Sequence, residues 1–196
     1  MTKLLIFSDI HGDEAALQRL MNQEADYYFA AGDLVNWGRS LDKLAPILQS
    51  RAGRVYILPG NHESAADVAS FCDRFGFHDF HEKSIQIAGS TIAGLGYSNL
   101  TPFHTPGEYS EQQIQDRLSK FDSPDVLICH CPPKNTKLDR AGPGENFGSE
   151  AIRKFIEAKQ PAYFFCGHIH EAAGTTEQLG RTFCCNVGKA GHMLEL

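Results

Sequence analysis

Eight residues with metal-ligand or acid–base chemistry fall in five short motifs, and each motif follows a run of apolar residues. Asp9 and His11 stand in FSDIHG, Asp33 in AAGDLVNWG, and Asn61 with His62 in LPGNHE. His130 stands in LICHCPP, and His168 with His170 in FFCGHIHE. The runs before them (Lys3–Phe7, Tyr27–Ala31, Arg54–Leu58, Val126–Cys129 and Ala162–Cys166) lack strict polar alternation. That is the pattern of a strand covered on both faces. One such match carries little information. Five in order, each at a strand end, point to a centre built for two metal ions.

The segments between these strands read as helices and hairpins. Residues 13–22 place Ala16, Leu17 and Leu20 on one helical face. Ser40 is positioned to cap a helix through Leu41, Leu44, Ile47 and Leu48, with Pro46 inside it. The stretch Ser64–Phe75 stops at Gly76, Ser110 opens a further helix, and Ser149 caps another through Ala158. The runs 84–87 and 91–95 flank Ala88-Gly89-Ser90 as a hairpin. Arg181–Cys185 and His192–Leu196 read as strands. Residues 96–109 and 132–148 are rich in Gly and Pro and read as long loops, a length that marks them as walls facing a substrate. Strands alternating with helices give an α/β protein, and 196 residues suit a single domain, 1–196, with a real core.

Composition narrows the partners. A net charge of −6 with no basic run argues against a nucleic-acid backbone. No apolar stretch approaches the ~20 residues of a membrane helix, and no signal peptide is read at the start, so a cytoplasmic protein is expected. The six cysteines form no CxxC pair and mostly sit in strand-like runs, where a reduced thiol acts as a small hydrophobe.

The chemistry of the ladder follows from its residue types. Asp9 and His11 are two apart, so an extended strand end would turn both toward one ion. Asp33 carries two oxygens and sits behind Gly32, which suits a carboxylate bridging two ions. Asn61 offers a neutral oxygen, and the histidines offer nitrogen. Mixed N/O donors favour Mn, Fe, Zn or Co over Mg. Two divalent ions against two carboxylates leave the site cationic. An acidic protein with such a pocket fits a small phosphorylated substrate. Paired ions can clamp a phosphoryl group and generate hydroxide at neutral pH.

The series DxH, GD, GNHE, H and GHxH, from Asp9 to about Gly188, resembles the calcineurin-like metallophosphoesterase superfamily. The segments SNLTPFHTPGEYSE, HCPPKNTKLDR and FGSEAIRKFIEAKQP resemble its Icc-related predicted phosphoesterases. The resemblance implies a four-layer α/β/β/α sandwich with the metals at the strand ends. It implies that Asp9, His11, Asp33 and His170 hold one of two divalent metal ions. Asp33, Asn61, His130 and His168 would hold the other, with Asp33 bridging. His62 would lie near the leaving group, as general acid or to orient the phosphate, and a metal-bridging hydroxide would be the nucleophile.

Two positions depart from the protein phosphatases of that superfamily, which carry GDxVDRG where this chain has GDLVNWG. Asn36 replaces the carboxylate that partners the catalytic His, and Trp37 replaces a phosphate-binding Arg. Both changes weigh against a protein-phosphatase reading, and a neutral, apolar rim near Trp37 suits a diester. Members near the Icc-related branch include cyclic-nucleotide phosphodiesterases, so the resemblance implies a phosphodiesterase for small organic diesters, cyclic nucleotides among them. A phosphomonoesterase or nucleotide pyrophosphohydrolase is the alternative. A non-catalytic scaffold ranks last, because the whole ladder and His62 are present. His78, His81, His104 and His192 lack any motif and read as surface or core residues. Glu63 reads as a support for Asn61 and His62. Asn186 reads as a partner for a ligand His, and Lys134, Lys137 and Arg140 as solvated loop charges.

Overall fold

The computed structural model describes residues Met1–Leu196. In chain order the strands are β1 (Lys3–Phe7), β2 (Tyr27–Ala31), β3 (Val55–Leu58), β4 (His78–Asp79) and β5 (Lys83–Ile87). They continue with β6 (Ser90–Leu95), β7 (Ser98–Asn99), β8 (Glu108–Tyr109), β9 (Val126–Cys129) and β10 (Arg140–Gly142). The last are β11 (Glu145–Asn146), β12 (Tyr163–Cys166), β13 (Thr176–Leu179), β14 (Thr182–Asn186) and β15 (His192–Glu195). The α-helices are α1 (Glu14–Met21), α2 (Ala45–Leu48), α3 (Ala65–Phe75), α4 (Glu111–Leu118) and α5 (Glu150–Lys159).

Two large sheets result. The first runs β15-β1-β2-β3-β4, with β1 to β4 parallel and β15 antiparallel at one edge. The second runs β13-β14-β12-β9-β6-β5, parallel in its middle and closed by antiparallel strands at both edges. Period-two alternation sorts each strand between layers. Leu5 and Phe7 of β1 face α1, α2 and α3, while Leu4 and Ile6 face the second sheet. In β9, Leu127 and Cys129 face α4 and α5, while Val126 and Ile128 face the first sheet. Three apolar layers thus separate helices, sheet, sheet and helices, which is the expected four-layer α/β/β/α sandwich. No helix is long and apolar enough to cross a membrane.

Local chemistry sets most helix ends. Asp13, Ser64, Ser110 and Ser149 each accept a backbone N–H from the first turn of their helices, and Gly76 closes α3 in the left-handed conformation. The segment after Ser40 departs from the expected helix. Ser40 is left-handed and caps nothing, and the run breaks into 3₁₀ turns at Leu41–Leu44 and Gln49–Arg51 around the short α2. Pro46 lies at the start of that α-turn, where its missing N–H is tolerated. The two long loops are also more ordered than expected. β7 pairs with β8 inside 96–109, and β10 with β11 inside 132–148. Asp139 organises the second loop by accepting the N–H groups of Asn135, Thr136 and Gly148.

Candidate metal centre

The loops that leave β1, β2, β3, β9 and β12 meet at one end of the two sheets and carry all seven candidate ligands. The way Asp9 and His11 converge differs from the expectation. β1 ends at Phe7, and both residues adopt left-handed backbones, with φ of 58° and 49°. Two sharp turns, not strand alternation, bring them together. Asp33, Trp37 and His168 share this uncommon conformation, which tends to gather at functional sites where the surroundings over-determine it. Here the surroundings are backbone pairs. Asp9 N–H donates to Gly32 O, His11 N–H to Asp33 O, and Gly12 N–H to Leu34 O. Gly32 is required, because its φ is +92° and a Cβ there would lie 2.5 Å from the Gly60 Cα.

Asp33 is the hub. Its Oδ1 accepts the His62 N–H at 2.9 Å. Its Oδ2 lies 3.6 Å from His11 Nε2 and 3.4 Å from His130 Nε2. A single carboxylate oxygen therefore stands between two donor clusters. On one side, His11 Nε2 and His170 Nε2 face each other at 3.0 Å, and Asp9 Oδ1 lies 3.9 and 3.6 Å from them. On the other, Asn61 Oδ1 lies 3.0 Å from His130 Nε2 and 2.9 Å from His168 Nδ1. Three groupings of ligand atoms could hold a metal ion: Asp9, His11 and His170; His11, Asp33 and His62; and Asp33, His130 and His168.

The donor chemistry fits divalent ions. His130 donates from Nδ1 to Ala31 O at 2.9 Å, and His11 from Nδ1 to Asn36 Oδ1 at 2.7 Å. Each bond spends the Nδ1 proton outward and turns Nε2 toward the centre, the usual preparation of an imidazole ligand. Burial raises the Asp33 carboxyl, yet His130, His11 and His62 outweigh it and hold Asp33 below the usual carboxylate range. Burial lowers His130, but the Asp33 charge prevails and lifts it to about 9. Burial and the neighbouring His130 push His168 down to about 4.

The supporting residues are only partly those expected. Glu63 is buried and accepts the N–H groups of Asp33, Val35 and Gly60, so it clamps the Asp33 loop rather than bonding Asn61 or His62. Asn36 is engaged with His11, and His62 Nδ1 instead accepts the Trp37 N–H at 3.3 Å. Asn186 bonds the carbonyls of Gly167 and Ile169 on either side of His168, not a histidine ring. Lys134 pairs with Glu150 at 3.5 Å. Cys131 is buried and its thiol is pushed up to about 12 by burial, which disfavours a thiolate ligand. Glu171 is exposed to solvent.

Two features carry no sequence motif. Thr105, in the 96–109 loop, accepts a hydrogen bond from Asn61 Nδ2 at 3.2 Å. A cavity of about 410 Å³ adjoins Asp9 and His170, lined also by Ala173, Gly188, Ala190 and one cation, Lys189. The contact with Thr105 spans 44 positions along the chain, and Lys189 follows a strand with nothing local to mark it.

A family model described as calcineurin-like phosphoesterase matches residues 2–172. The chain is 30% identical over 192 residues to the uncharacterized protein MJ1162 of Methanocaldococcus jannaschii, covering 94% of this chain and 87% of that one. TT1561 of Thermus thermophilus superposes with a TM-score of 0.72 at 19% identity, covering 95% and 89% of the two chains. A dimetal phosphatase from Danio rerio superposes with a TM-score of 0.55 at 13% identity, covering 93% and 86%. At these identities the two solved structures speak for the fold. The family match is what names the chemistry: this chain belongs to the calcineurin-like phosphoesterases, a family of metal-dependent phosphoric-ester hydrolases.

Proposed function

We propose that the chain is a dinuclear metal-dependent phosphodiesterase acting on small organic phosphodiesters, cyclic nucleotides among the candidates. The observation that carries this reading is the position of Asp33 Oδ2 between His11 and His130. Asp9, His11, Asp33 and His170 would hold one ion, and Asp33, Asn61, His130 and His168 the other. When bound, the two ions supply a positive clamp for phosphoryl oxygens and water activated at neutral pH. The mixed N/O donors favour Mn, Fe, Zn or Co.

The chain's own residues supply the rest. His62 Nδ1 accepts the Trp37 N–H, so in the neutral ring the proton sits on Nε2, from which His62 would donate a hydrogen bond that stabilises the departing oxygen. The Trp37 ring lies edge-on to His62 at 5.5 Å and is 48% exposed. A neutral, apolar surface beside the acid suits a diester with a flat leaving group better than a doubly charged monoester. The Lys189 cavity favours one alternative, a nucleotide pyrophosphohydrolase, because a second anionic group could reach that cation in competition with Asp13, which lies 3.6 Å from it. Six unpaired, buried cysteines suit a reducing compartment such as the cytoplasm.

The test is hydrolysis of bis(p-nitrophenyl) phosphate by metal-stripped protein with Mn²⁺ restored, beside Asn61→Ala. Metal-dependent turnover that the variant loses is expected. Full activity in Asn61→Ala would overturn the ligand assignment. Silence on the diester with turnover of a nucleotide pyrophosphate would favour the alternative.

A further inference from the structure

Asparagine is an ambiguous ligand. Its amide presents an oxygen on one side and an NH₂ on the other, and only the oxygen can meet a cation. Something has to decide which way Asn61 turns. His130 and His168 would not in the ion-loaded site, since a ring nitrogen that holds a metal carries no proton to give the Asn61 oxygen.

The answer lies across the 96–109 loop. Thr105 is buried, and its hydroxyl has one proton. That proton goes to Glu108 Oε1 at 2.7 Å. The same oxygen accepts the Thr105 backbone N–H at 2.8 Å and the Thr101 hydroxyl. Burial raises the Glu108 carboxyl, but these bonds outweigh it and keep Glu108 an ionised acceptor. With its proton spent, Thr105 Oγ can only accept from Asn61, and only Nδ2 can donate. The Asn61 oxygen is then forced toward His130 and His168. The backbone agrees, because Gly107 N–H donates to Asn61 O at 2.9 Å and seats the loop on the ligand.

We propose that Thr105 and Glu108 are positioning residues that orient the Asn61 amide for one of the two metal ions. This rests on the dinuclear reading, in which Asn61 is a ligand.

The test is Mn²⁺ titration of the metal-stripped full chain, followed by electron paramagnetic resonance and calorimetry. Two bound ions are expected in the wild type. In Thr105→Val, which keeps the shape and removes the hydroxyl, affinity for one ion is expected to fall about 10- to 100-fold while the other is unchanged. Thr105→Ser should restore both. Glu108→Gln should also keep both, because all three bonds to Glu108 fall on one oxygen. Wild-type affinity for both ions in Thr105→Val, with one ion lost in Asn61→Ala, would overturn this proposal and leave the dinuclear reading standing. Two ions retained in Asn61→Ala would overturn both. If circular dichroism shows Thr105→Val unfolded, Glu108→Ala replaces it, and two tightly bound ions in that variant would overturn the proposal.

Discussion

Asn36 spends both ends of its amide on His11: Oδ1 takes the ring Nδ1 proton at 2.7 Å, and Nδ2 approaches the His11 carbonyl at 3.5 Å. The ring is thereby fixed with Nε2 toward Asp33. Asn36→Ala should weaken one Mn²⁺ about 10- to 100-fold, whereas Asn36→Asp, which still accepts, should not. Equal affinities in wild type and Asn36→Ala, measured by calorimetry, would remove this role. Its neighbour argues for specificity. Trp37→Arg places a cation beside His62, where a monoester carries one more negative charge than a diester. The ratio of monoester to diester kcat/KM should rise about tenfold or more, equivalent to about 1.4 kcal/mol. An unchanged ratio for p-nitrophenyl phosphate against its bis ester would rule out the neutral rim as a selector.

At the scale of elements, the 96–109 segment is held by a histidine with no metal role. His81 Nδ1 accepts the Gly96 N–H at 3.0 Å, and Nε2 faces the Tyr109 hydroxyl at 3.2 Å. Tyr109 donates to Glu82, which also accepts Arg117 Nε, and the Arg117 guanidinium lies 3.9 Å over the Tyr109 ring. Burial lowers the His81 pKa below its ordinary value, although Glu82 opposes this. The neutral ring is therefore favoured in the folded chain. Above about pH 6.5 both folded and unfolded forms are neutral. As pH falls through that value the unfolded chain takes the proton first, so stability is lost from there down to the folded pKa. His81→Asn keeps an acceptor for Gly96 but cannot titrate. It should melt lower than wild type at pH 8 and lose less between pH 7 and pH 5. Parallel melting curves across that window would show that His81 contributes nothing to the acid limb.

Legibility in the sequence divides along the same line. The apolar core strands and the Ser or Gly ends of α3, α4 and α5 are readable because apolar runs and caps act locally. The candidate ligand types are readable because a metal needs those atoms, and the structure brings all seven candidates to one end of the sheets. What escaped depends on distant contacts or unusual backbone. Asp9 and His11 converge through left-handed turns that no periodicity announces. β13, of sequence TEQL, is polar because it is a half-exposed edge strand. Thr105 meets Asn61 only after the 96–109 loop folds back onto the turn that follows β3.

For the whole molecule, the question is whether the two sheets fold as one. Asp9, Asp33 and Asn61 leave strands of the first sheet, and His130, His168 and His170 leave strands of the second. Between the sheets, Phe29 stacks on Tyr56 at 5.0 Å and meets Phe80 edge-on at 5.3 Å, in the same layer as Val126, Ile128 and Phe165. Neither sheet can expose that face without opening the other. One cooperative transition is therefore expected, with the chain behaving as a single domain. The only tryptophan, Trp37, reports from the metal centre, while far-ultraviolet circular dichroism reports from all helices and strands. Their urea midpoints should coincide. Phe29→Ala, which opens a cavity in the shared layer, should lower stability by about 3–5 kcal/mol and move both midpoints together. Binding two ions should raise both, since the candidate ligands come from both sheets and would have to be in place at once. If Trp37 fluorescence changed at a lower urea concentration than the circular dichroism, the centre would open before the sandwich does. In that case the inter-sheet layer would not couple the site to the core.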